Sequence, residues 1–114
     1  MKFICLLSAI VLAIAAAPAG AQNAATQTVA GVITDSECAD ADHGRMRMGD
    51  TDLECVKACV DAHGATYVLF DGKTAWELTD QAKAASFAAK RVTVTGKLDA
   101  GKKRIQVESI TAAR

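Results

Sequence analysis

Apolar residues follow two periods along this chain, and the stretches between them follow neither. Thr28 to Thr34 (TVAGVIT) is rich in β-formers and predicts a first strand. Asp35 to Asp50 has no period and predicts an irregular segment. Thr51-Asp-Leu-Glu54 then has the capping-box form, and Gly64 is placed for a left-handed stop, so a helix is expected between them. Leu53, Val56 and Val60 fall on one stripe of that helix, with Cys55, Cys59 and His63 along its flank. Thr66–Phe70 and Lys73–Leu78 read as strands joined at Asp71-Gly72, a hairpin signal. Thr79–Lys90 is alanine-rich and predicts a second short helix. Arg91–Leu98 alternates cleanly and Arg104–Ile110 closes the series as a fifth strand.

Strand, inserted helix, two strands, helix, two strands: this order predicts a mostly β domain with one or two short helices. The matching architecture is a small five-stranded OB-like barrel. An open α+β sheet with both helices on one face is the alternative. Gly31 and Gly96 inside strands suit the sharp bends of a barrel. Residues 28–114 form one domain, with residues 35–64 as a loop-helix insertion and 22–27 as a flexible lead-in.

The first 21 residues change the picture of where the protein works. Lys2, an apolar run from Phe3 to Ala17, and Ala19-Gly20-Ala21 read as a secretory signal cut after Ala21. The expected location is periplasmic or secreted, without a membrane anchor. Cys5 lies at the start of the apolar run, not after it where a lipid-bearing cysteine would stand. Lys+Arg and Asp+Glu both number 13, so loss of Lys2 leaves a net charge of −1. That balance gives no reason to expect nucleic acid as a partner. The charge is uneven, however: Asp35 to Asp61 holds eight acids against Arg45, Arg47 and Lys57.

Of four cysteines, three remain after such a cut, in an oxidising compartment. The ligand-type residues read C-x4-H-x2-M-x-M and then C-x3-C-x3-H. Cys38, His43, Cys55 and Cys59 are the natural four for a closed tetrahedral site. Two cysteines at i and i+4 of a helix have Cα atoms about 6 Å apart, so their sulfurs can converge on one ion. Met46 and Met48 offer thioethers and His63 a further imidazole. Zinc suits the Cys/His set; copper gains from the thioethers. The competing use of the cysteines is a disulfide of Cys38 with Cys55 or Cys59, closing a loop of roughly 20 residues for about 3 kcal/mol. The chain would then be a stapled structural or interaction domain, for an unknown small ligand or protein, with one spare thiol.

Enzyme signatures are missing. Ser36, His43 and Asp35 share one irregular segment without a nucleophile elbow, and C-x3-C within a helix lacks the C-x2-C of thiol oxidoreductases. No catalytic activity is expected, thiol redox chemistry being the one alternative.

The blocks GVITDSEC, CVKACV, GATYVL, VTVTGKLD and IQVESI together resemble a group of small secreted bacterial proteins of unknown function. These share an OB-like strand series, a D-S-x-C loop with a nearby His and Met, and a C-x3-C-V helix. The resemblance implies a barrel and marks Cys38, His43, Met46, Cys55 and Cys59. His63 stands where such proteins commonly have a small residue.

Overall fold

The structure, a computed structural model, describes residues 25–114; the expected signal segment 1–21 and the first lead-in residues lie outside them. Five strands follow in chain order: β1 (Thr26–Asp35), β2 (Tyr67–Phe70), β3 (Ala75–Leu78), β4 (Arg91–Asp99) and β5 (Arg104–Ala112). They close into a barrel in the order β1-β2-β3-β5-β4. All neighbours are antiparallel except β3 and β5, which run parallel through Glu77↔Arg104 and Leu78↔Ile105. Closure excludes the open sheet. Helix α1 (Asp52–His63) sits between β1 and β2, and α2 (Gln81–Ala85) between β3 and β4. Among the described residues no helix is long and apolar enough to cross a membrane.

The barrel interior is hydrocarbon. Ile33, Leu69, Leu78, Val92, Val94 and Ile105 are all fully buried, with Ala84 and Ala88 packed against them. Each such aliphatic side chain contributes about 1.5–3 kcal/mol by leaving water. Gly31 and Gly96 permit the tight winding. A Cβ on Gly31 would meet the Phe70 carbonyl oxygen at 2.3 Å, and one on Gly96 the Gln106 carbonyl oxygen at 2.1 Å. Gly96 also sits at the irregularity where β4 slips register against β5.

Several expectations change. Thr26 and Gln27 of the lead-in belong to β1, because their backbones pair with Lys97 and Gly96 of β4. The hairpin loop takes four residues, Asp71–Thr74, since the Asp71 carboxylate accepts the N–H groups of Lys73 and Thr74 and holds them out of β3. The alanine-rich helix stops at Ala85. Beyond it the chain tightens into three-residue turns, and Ala89 at φ +60° hands its N–H to the Ile33 carbonyl at 2.8 Å. Docking on β1 therefore outweighs the helix propensity of the alanines.

The insertion leaves and rejoins the barrel at one point. Ser36 N–H donates to the Thr66 carbonyl at 2.9 Å, and Thr66 N–H to the Ser36 hydroxyl at 3.0 Å. Within it, α1 has the expected ends. The Thr51 hydroxyl and Glu54 carboxylate exchange backbone N–H groups, and Gly64 adopts φ +67°. Leu53, expected on the apolar stripe, is 41% exposed. The buried face is instead Cys55, Val56 and Cys59.

Candidate metal centre

Adjacent residues of α1 face two different interiors. Val56 enters the barrel core, while Cys55 and Cys59, one turn apart, pack with Ala65 and the partly buried Met48. Val60 touches both. The other wall of this second interior comes from the end of β1 and the loop after it.

That loop is held by side chains closing on nearby backbone. Asp35 Oδ1 accepts the N–H groups of Glu37 and Cys38, both at 2.9 Å, and so turns the chain out of β1. The Thr34 hydroxyl donates to the Cys38 carbonyl at 2.8 Å. Asp40 and Asp42 repeat the device on Asp42 N–H and Gly44 N–H, and Arg45 pairs with both carboxylates. Arg47 bridges the Asp50 carbonyl and Asp52. Most of the acids in this stretch are therefore exposed structural groups. Asp35 alone is buried.

Three of the four expected donors come together. Cys38, His43 and Cys55 are all buried, and their ligand atoms lie within 4.8 Å of one another. At metal–sulfur bonds of about 2.3 Å and tetrahedral angles, two sulfurs sit about 3.8 Å apart, so a closure of at most about 1 Å would seat an ion. His43 is 4% exposed and its Nδ1 has no hydrogen-bond partner. Its Nε2 lies 3.5 Å from the Thr34 hydroxyl. Because that hydroxyl gives its proton to the Cys38 carbonyl, it faces Nε2 with a lone pair. The contact favours the tautomer protonated at Nε2, with the Nδ1 lone pair free to bind.

Cys59 is buried beside this trio without belonging to it; its sulfur lies 3.9 Å from Met48 Sδ. Cys55 directs its thiol to the Met46 carbonyl at 3.2 Å. The structure does not bring the remaining candidates to the cluster. The Met46 side chain is 45% exposed, and His63 is exposed in the last turn of α1. His63 is not among the mutually close donor atoms.

All three cysteines are free thiols. Burial first, then the charge of Asp35, pushes the Cys38 thiol up; the same causes in the same order push Cys59 up to about 12. Thiols held protonated in this way are poor nucleophiles at neutral pH.

Sequence reasoning passed over Thr34 and Asp35. Both are fully buried beside Ile33, three consecutive buried residues at the end of a strand. Alternation predicts that one face of β1 is solvated there. The insertion folds over that face, which a strand pattern cannot show.

Residues 61–113 match the sequence model of a family described as protein of unknown function (DUF5818). The match starts in the last turn of α1 and spans β2 to β5. It takes in His63 and leaves Cys38, His43, Cys55 and Cys59 outside. No curated protein and no solved structure matches the chain. A groove of about 900 Å³ lined by Asp80, Gln81, Lys97, Asp99 and Arg104 among others shares no residue with the cluster.

Proposed function

We propose that this protein is an exported, non-catalytic module that holds one soft metal ion, zinc or copper, between the loop after β1 and the buried face of α1. Cys38 and Cys55 bind as thiolates and His43 through a neutral ring nitrogen, with Cys59 one turn further on as the fourth donor. The observation that carries the reading is the convergence of two thiols and an imidazole, from separate segments, in one buried group. Such residues are the ordinary donors for these ions. The D-S-x-C loop with its nearby His43 and the C-x3-C-V helix supply these donors, and the N-terminal signal pattern supports export.

Native mass spectrometry of the protein exported to a periplasm, and purified without reductant or chelator, tests this. The expected mass is heavier by one metal ion, with three thiols recovered after denaturation, and Cys38→Ser, Cys55→Ser and His43→Ala each lose the ion. A mass lower by two hydrogens, with no metal and one titratable thiol, would replace the reading with a disulfide-stapled interaction domain.

A further inference from the structure

We infer that Asp35 sets the charge of this site and, with it, a preference for a divalent ion such as Zn(II) over monovalent Cu(I). This rests on the metal-binding reading of Cys38, His43 and Cys55 and goes beyond it, because Asp35 is not one of the mutually close donors.

Asp35 is fully buried at the end of β1. Its Oδ1 is satisfied by the Glu37 and Cys38 N–H groups, but its Oδ2 is buried with no hydrogen-bond partner. None of the ion pairs among the described residues includes it. A desolvated carboxylate with an unsatisfied oxygen and no countercharge is a costly arrangement. The seven other acids between Glu37 and Asp61 are all exposed, so none shares this condition. Asp35 also stands against the thiols. It binds the backbone N–H of Cys38, and its charge acts on both Cys38 and Cys59. A cation in the pocket would supply the missing countercharge.

The bias that Asp35 adds to the choice of ion follows from charge alone. Whatever set of thiolates binds, a site holding Zn(II) is one unit more positive than the same site holding Cu(I). The Asp35 carboxylate therefore favours the first over the second by the attraction of one extra unit charge. The absolute affinities also depend on how Asp35 opposes thiolate formation, but that cost is common to both ions and cancels in their ratio. At separations within a pocket and an effective dielectric of about 20, one unit charge alters the ratio on the order of 10-fold or more.

The test is the Zn(II)-over-Cu(I) affinity ratio, measured for each ion by anaerobic competition with a chromophoric chelator. Asp35→Asn keeps an oxygen for the Glu37 and Cys38 N–H groups and removes the charge. Asp35→Ser does the same with a hydroxyl, and serves if the amide is not accommodated. The expected result is a ratio lowered about 10-fold in both neutral variants and kept in Asp35→Glu. A purely positional role would lower both affinities together. An unchanged or increased ratio in the neutral variants would overturn the inference while leaving metal binding intact. Wild-type protein that binds neither ion would overturn the metal-binding reading, and this inference with it.

Discussion

The barrel and the insertion between residues 36 and 66 bury their interiors with different materials. The barrel closes on branched hydrocarbon, Ile33, Leu69, Val92, Val94 and Ile105, behind a continuous backbone ladder. The insertion has one helix and a loop fastened mainly by carboxylates on nearby N–H groups. Its interior is Cys55, Cys59, Ala65, Cys38 and His43, with two buried polar atoms unpartnered, Asp35 Oδ2 and His43 Nδ1. A core needs no unsatisfied atoms to be stable, and among the described residues no side chain of the barrel's hydrocarbon interior has them; Asp35 ends β1 but turns its carboxylate to the loop after it. Both unpartnered atoms lie where the insertion meets the end of β1, the contrast with the barrel interior that the proposed metal site would account for.

The largest effect that would sharpen this contrast is metal-linked stability. An ion that binds only the folded insertion adds about 4 kcal/mol when its concentration is 1,000 times the dissociation constant. Native-state hydrogen exchange with and without Zn(II) should show new protection in α1 and at Cys38–Asp50, with far less in β4 and β5. Cys55→Ser should remove the whole increment. Equal protection of the distant strands would break the comparison, since the two regions would then open as one cooperative unit.

Next in size are substitutions in the hydrocarbon core. Leu69→Ala should cost about 3 kcal/mol by loss of burial and creation of a cavity. Gly96→Ala should also destabilise, by about 1–3 kcal/mol, because its Cβ would have to displace the Gln106 carbonyl. Leu53→Ala, on the solvated face of α1, should change stability by less than about 0.5 kcal/mol. Chemical denaturation measures all three, and a metal ion should leave the differences unchanged.

A smaller effect isolates the insertion. Thr51→Ala removes the hydroxyl that accepts Glu54 N–H at 3.2 Å and should cost about 1 kcal/mol. The loss should appear as faster exchange in the first turn of α1, beside the cysteines, while the β1–β4 ladder keeps its protection.

How far the sequence could be read follows the same division. The ends of α1 were legible because Thr51, Glu54 and Gly64 act on their own neighbours. The strands were legible because one buried face forces alternation. Barrel closure was only one of two options, since the parallel pairing of β3 with β5 rests on two residue pairs far apart in the chain. Leu53 was misplaced because cysteine scores as a flank residue in a hydrophobic stripe, whereas here it is the stripe. The thiols and His43 could be proposed from their spacing. Asp35 could not, for an aspartate ending a strand reads as a turn former, and here it is also a buried carboxyl with an unpartnered oxygen. Only the fold of the insertion over β1 makes it so.

The smallest effect tests whether carboxylate fastening in the barrel differs from that in the insertion. Asp71 fastens the β2–β3 hairpin as Asp35 fastens the loop, but it does so in solvent and with every bond made. It accepts the N–H groups of Lys73 at 2.8 Å and Thr74 at 2.7 Å, and the Trp76 indole N–H at 3.0 Å. The Thr74 N–H foremost, then the Trp76 indole, holds its carboxyl below the ordinary 3.8. A carboxyl whose folded value is depressed contributes stability that is present above the unfolded value and fades as pH falls through the folded one. Acidification below about pH 3.8 should therefore release the indole. Trp76 is the single tryptophan, so its emission reports this site alone. In Asp71→Asn that acid step should vanish, at a stability cost at pH 7 below about 0.5 kcal/mol. An acid step in Trp76 emission that survives the substitution would assign it to global unfolding, and the exposed fastening of the barrel would then have no separate signature.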